Sequence, residues 1–207
     1  MSTTDAHVVA QQAHATQAEI GLPKDNRILG LWIFLAGECA FFASLIGTYL
    51  GLHGSTLHGP TSQSIFDLPL TTVATLILLT SSLTVVLGVQ AMQRRDVRGM
   101  QIWLWVTALL GLFFLEFQGY EFFTFYNKGL TLHSSAFGSA FFTLTGFHGL
   151  HVLFGVFWIL LLLFQSLKHG INEERTSKVF IASLYWHFVD VVWVVIFTLV
   201  YLGGKVG

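Results

Sequence analysis

Polar and apolar positions fall in long blocks along this chain, not at the short period of a surface helix. Apolar runs occupy about residues 30–52, 69–92, 100–126, 136–167 and 179–202. A helix rising ~1.5 Å per residue crosses a hydrocarbon core ~30 Å thick in about 20 residues, and every run is that long. The blocks therefore predict an all-α, polytopic membrane protein, a bundle of five transmembrane helices. Pro69 opens the second run, where proline suits a first helical turn. Residues 1–27 are rich in Ala, Gln, Thr and His and hold no signal-peptide core. They read as a polar, mobile tail ahead of a membrane domain over 28–207, with His7 and His14 solvated. The connections are short, the longest being His53 to Leu68. No extramembrane domain is expected, so function must lie within the bilayer or at a protein contact there. No internal repeat is visible, which weighs against inverted-repeat transporters.

Composition sharpens this. Of 207 residues, 54% are hydrophobic and 10% charged, where soluble proteins carry about 25% charged residues. The net charge of −1 argues against nucleic acid as a partner. The single cysteine, Cys39, lies in an apolar run, so neither an internal disulfide nor a CxxC site is available. Eight of the ten Lys and Arg residues fall on one side if five helices alternate: Lys24, Arg27, Arg94, Arg95, Arg98, Lys168, Arg175 and Lys178. Lys128 and Lys205 fall on the other. The positive-inside bias places the N-terminus in the cytoplasm and the C-terminus outside.

Ionisable residues inside the runs need a reason. An Asp at mid-span costs ~2.5–3.5 kcal/mol on insertion scales, against ~0.3–0.6 returned by each large aliphatic or Phe. Glu38 lies in the first run, Glu116 and Glu121 in the third, His148 and His151 in the fourth, and His187 and Asp190 in the fifth. His148 and His151 are three apart and share a helix face, as do His187 and Asp190. Glu38 and His187 each lie about eight residues, ~12 Å, from the cytoplasmic end. Asp190, His148 and His151 share that middle band, while Glu116 and Glu121 lie nearer the outer face. The expectation is an internal polar cluster of Glu38, His148, His151, His187 and Asp190, with Asp190 paired to His187. Gly146 and Gly149 beside the histidines predict close helix packing. Trp186 and Trp193, seven apart, share a packing face. Ser81, Ser82 and Thr84 are expected to bond their own preceding turn.

Three chemistries remain open at this point. Three spanning histidines are about half of what a core with two haems and a copper needs. A bis-histidine haem between His148 or His151 and His187 would make a small b-type cytochrome or membrane anchor. A proton-coupled transporter would use Glu38 and Asp190. A support subunit would use all of them for packing.

The segments "LWIFLAGECAFF", "FQGYEFF", "SSAFGSAFFTLTGFHGLHV" and "YWHFVDVVWVVIFTLVYL" resemble subunit III of the haem-copper oxidases, in order and from about Asn26 onward. Mitochondrial members have seven spans; this chain resembles the shorter five-span bacterial form. The resemblance implies a subunit with no catalytic residue, haem, copper or other metal of its own, within an oxidoreductase complex of the bacterial cytoplasmic membrane. It implies docking mainly on subunit I, which holds redox centres and pumps protons, beside subunit II and a small subunit IV. It further implies bound phospholipids, and a role in steadying subunit I and aiding its proton uptake. Glu38 matches the family's carbodiimide-reactive carboxyl, which sits in an apolar setting. Glu121 matches the glutamate of the third-from-last helix. His148, His151, His187 and Asp190 fall on the two signature motifs. The pattern looks more like the cytochrome c oxidase branch, of the aa3 or caa3 kind, than the quinol oxidases of the bo3 and aa3-600 kinds.

Overall fold

A computed structural model describes residues 26–52, 68–129, 136–169 and 173–203. The tail expected before Asn26 and most of the His53–Leu68 connection lie outside the described residues. The described chain forms α1 (Asn26–Leu52), α2 (Leu68–Gln93), α3 (Val97–Asn127), α4 (Ala136–His169) and α5 (Glu173–Ile196). A π-helical turn, Phe197–Leu202, continues α5. All five helices contain a stretch long and apolar enough to cross a membrane. The chain divides into two compact units, Met1–Glu38 and Cys39–Gly207. Of the first, only the opening turns of α1 are described.

The helix ends follow from local chemistry. Between α2 and α3 the chain turns in three residues. Arg95 adopts φ 60°, a left-handed conformation that a non-glycine residue takes only where a tight corner demands it. Asp96 then caps α3, its Oδ1 accepting from the Gly99 N–H at 3.0 Å. A side chain at Gly99 would collide with the same carboxylate. At the far end α3 stops where Gly129 turns to φ 86° and its N–H bonds the Tyr126 carbonyl.

In the second unit α2 packs on α3, α3 on α4, α4 on α5, and α5 returns to α2. Each neighbour is antiparallel, as the cross-helix pairs show. Thr71 meets Glu121 and Thr84 meets Thr107. Gln118 meets Thr145 while Gln101 meets Ser166. The second half of α1 runs against α4, with Phe41 on Phe147 and Tyr49 on Phe137. Large aromatic side chains fill the middle: Trp186, Trp193, Tyr185, Tyr201, Phe114, Phe125 and Phe141 are all buried. The outward faces carry Leu, Ile, Val and Phe, as lipid requires.

Candidate functional site

The interior is organised by two tryptophans of α5. Trp186 lies in a notch made by two glycines. An added Cβ would meet its ring at 2.7 Å from Gly111 of α3 and at 2.9 Å from Gly155 of α4. Its indole N–H donates to Ser81 Oγ of α2 at 3.0 Å. One side chain thus touches the other three helices of the ring. Trp193, two turns on, donates to Thr75 Oγ1 at 3.0 Å. It also stacks on His148 at 4.9 Å and takes the Phe114 ring edge-on at 4.8 Å. Lipid tails are as apolar as these side chains, so burial alone does not hold membrane helices together. Close packing and interhelical hydrogen bonds do.

The acceptors come from a row of hydroxyls on α2. Each spends its own hydrogen locally and offers a lone pair across the interface. Thr75 donates to the Thr71 carbonyl and accepts from Trp193; Ser81 donates to the Leu78 carbonyl and accepts from Trp186. Thr84 bonds the Ser81 carbonyl and also reaches Thr107 of α3. Ser82 departs from the sequence expectation. Its hydroxyl bonds His187 Nδ1 at 2.7 Å instead of its own preceding turn.

Glu121 is the best-anchored carboxylate. It is 5% exposed. Thr71 Oγ1 donates to Oε1 at 2.9 Å, and the Tyr201 hydroxyl donates to Oε2 at 2.8 Å. Tyr201 lies eight residues beyond Trp193, which on an ideal α-helix is ~80° around the axis. The π-helical turn advances less per residue and brings Tyr201 back toward the interior face. Beside Glu121 lies a cavity of about 10 Å³, with Thr71, Phe114, Gln118 and Trp193 in its wall. It has room for roughly one water. Gln118 donates from Nε2 to the Thr145 carbonyl at 2.6 Å, and its amide lies against bare backbone at Gly149. An added Cβ at Gly149 would stand 2.7 Å from Oε1.

His148, His151, His187 and Asp190 have separate surroundings. His187 is half-buried and bonds Ser82. Asp190 is 3% exposed, and neither of its oxygens makes a hydrogen bond among the described residues. Ser82 is the hydroxyl that faces it. The expected His187–Asp190 pair is therefore corrected. The i, i+3 spacing does place both on one side of α5, but a hydroxyl from α2 stands closer to the imidazole than the carboxylate does. His148 is fully buried and held by rings: Trp193 on its face, Phe42 and Phe114 at its edges. Its nitrogens make no hydrogen bond among the described residues. His151 turns the other way, with Nδ1 on the Phe147 carbonyl at 2.7 Å, and the Tyr185 hydroxyl donates to its carbonyl. Glu38 is half-buried, in the first unit. Gly146 differs from Gly149: a Cβ there would meet nothing within 4 Å, so it is not a close-packing glycine. Among the described residues no three His, Cys, Asp or Glu side chains gather as a metal site. The three histidines make separate contacts.

Sequence reasoning overlooked Thr71, Thr75, Gln118 and Tyr201 as site residues. Thr71 and Thr75 are four apart and Ser81 and Thr84 three apart, and that local spacing was the available signal. The pairing of Tyr201 with a residue 80 positions away was not visible locally.

The sequence profile of the family described as cytochrome c oxidase subunit III matches residues 9–205. This chain belongs to the cytochrome c oxidase subunit III family. It is 46% identical to the cytochrome c oxidase subunit 3 of Bacillus sp. (strain PS3), over 99% of this chain and 97% of that one. It is 50% identical to the subunit of the same name from Alkalihalophilus pseudofirmus, over 88% and 89%. The probable quinol oxidase subunit 3 of Staphylococcus saprophyticus is 41% identical over 98% and 97%. The chain is thus subunit III of a haem-copper oxidase, a multi-pass membrane protein that forms a complex with other oxidase subunits. The contacts described above hold this subunit's own helices in register.

Proposed function

We propose that this subunit III is a redox-inactive wall of a proton-pumping cytochrome c oxidase, docked chiefly on subunit I in a bacterial cytoplasmic membrane. The observation that carries this is the use made of the histidines. His148 is enclosed by rings from other helices and His187 bonds a serine of α2, so both are engaged between helices, while His151 bonds its own helix. Haem and copper then belong to partner chains, with subunit II and a small subunit IV completing the complex. Phospholipids lie against the outer apolar faces. The subunit steadies subunit I and supports its proton uptake. The orientation has the N-terminus inside, following the Lys and Arg distribution.

Cytochrome c is favoured as donor because the cytochrome c oxidase relatives given above reach 46–50% identity, whereas quinol oxidase relatives reach 41–44%. The test is to isolate the complex through a tag on this chain and supply reduced cytochrome c or a quinol. Oxygen consumption with cytochrome c is expected. Turnover with quinol alone would assign the complex to the second branch.

A further inference from the structure

Among the described residues two carboxyl groups are buried, and their surroundings differ. Glu121 receives two hydroxyl hydrogens, from Thr71 and Tyr201. Asp190 receives none: both of its oxygens are enclosed, and neither has a hydrogen-bond partner among the described residues. The indole N–H groups a turn before and a turn after it on α5 are committed elsewhere, Trp186 to Ser81 and Trp193 to Thr75. The nearest cation along α5, Lys178, lies twelve residues before Asp190, ~18 Å away along the helix. The group that faces the carboxyl is the Ser82 hydroxyl of α2, and Ser82 is already engaged with His187 Nδ1 at 2.7 Å.

An ionised carboxylate does not fit this enclosure. Removed from water, it needs a cation or several hydrogen bonds, and without them it takes up a proton. An anion would also be a stronger acceptor than a neutral imidazole. It would draw the Ser82 hydrogen to itself in a short, charge-assisted bond, and Asp190 makes no such bond among the described residues. A serine hydroxyl has one hydrogen and two lone pairs. With the hydrogen spent on His187, what Ser82 has left for Asp190 is a lone pair, which suits a donor and not an anion. We propose that Asp190 is a neutral carboxylic acid whose O–H is directed at Ser82, and that this proton sets the tautomer of His187, with Nδ1 bare and the ring hydrogen on Nε2.

Asp190 is thus a positioning residue that acts through Ser82. Its proton fixes the direction of the chain: Asp190 donates to Ser82, Ser82 donates to Nδ1, and His187 presents Nε2–H at its half-exposed edge. With Asp190 ionised the direction reverses. Ser82 then donates to the carboxylate, Nδ1–H donates to Ser82, and Nε2 carries a lone pair. The two arrangements differ by the Asp190 proton and by which nitrogen holds the ring hydrogen. The inference stands on contacts within this chain and not on which chains accompany it.

The test uses the purified complex. Infrared spectra are compared for the unaltered chain and Asp190→Asn, and the variant should lose a protonated-carboxyl C=O band. A difference confined to the carboxylate bands, or no difference, overturns the proposal. Where Asp190→Asn does not assemble, Asp190→Glu takes its place: the band should remain at a shifted frequency, and an unmoved spectrum overturns the proposal. The tautomer is read separately, by solid-state NMR on the complex carrying isotope-labelled histidine. The His187 signals are those that move in Ser82→Ala, and in the unaltered chain they should report a bare Nδ1 and a protonated Nε2. A hydrogen on Nδ1, or no signal that moves, overturns the proposal. Asp190→Asn, which keeps an N–H donor toward Ser82, should leave the tautomer as it is; a switch of the ring hydrogen to Nδ1 in that variant also overturns it.

Discussion

At the scale of single residues, the interior depends on a few contacts with no slack. Gly149 is the clearest. A Cβ there falls 2.7 Å from Gln118 Oε1, so Gly149→Ala must expel an amide that is anchored to the Thr145 carbonyl. The expected loss is about 1–3 kcal/mol, the range for overpacking a tight interior, read from the denaturing-detergent midpoint of the subunit. Shortening the partner, as in Gln118→Ala combined with Gly149→Ala, should recover much of it. Gly146→Ala should stay within about 0.5 kcal/mol, because its Cβ meets open space. Equal effects at the two glycines would contradict the packing described. Sequence spacing marked both glycines alike; only the position of Gln118, from another helix, separates them. The same holds for His187. Its place on the face shared with Asp190 was legible from i, i+3 spacing, but its partner Ser82 lies 105 residues away and no local pattern announces it.

At the scale of elements, the apolar blocks were readable because a bilayer demands length and apolarity together, and the five helices match them to within a few residues at most ends. The π-helical turn was not readable, since its residues continue the same apolar pattern. Its role is geometric. It holds one more residue than an α-helical turn needs between Trp193 and Tyr201, and the wider winding keeps the Tyr201 hydroxyl on Glu121. Removing one exposed residue, Leu199, places the tyrosine seven positions after Trp193, again on the same face of an ordinary α-helix. That deletion should leave the midpoint within about 0.5 kcal/mol, the range for changes that disturb no buried contact. Tyr201→Phe, which removes the hydroxyl donor itself, should lower it by ~0.6–1.7 kcal/mol. A deletion worse than Tyr201→Phe would mean that the turn serves something other than aiming this side chain.

At the scale of the whole molecule, the antiparallel neighbours of the second unit put its successive connections on alternate sides, and the proposed orientation follows from the eight of ten basic residues that the sequence assigns to one side. In a Cys39→Ser chain, a cysteine at Arg95 should react with a membrane-impermeant thiol reagent only after cells are opened, and one at Lys128 in intact cells. The reverse pattern would invert the orientation. Tryptophans and hydroxyls, with His148 and His187, hold the bundle together, and the proposal is that the redox centres belong to other chains. The most direct measurement is to isolate the oxidase through this subunit, dissociate it in stages, and follow the visible spectrum of each fraction. Haem absorption should leave with the partner chains, and the fraction containing only this subunit should show no Soret band. A Soret band that stays with this chain and is lost on replacing His148, His151 or His187 would contradict the account.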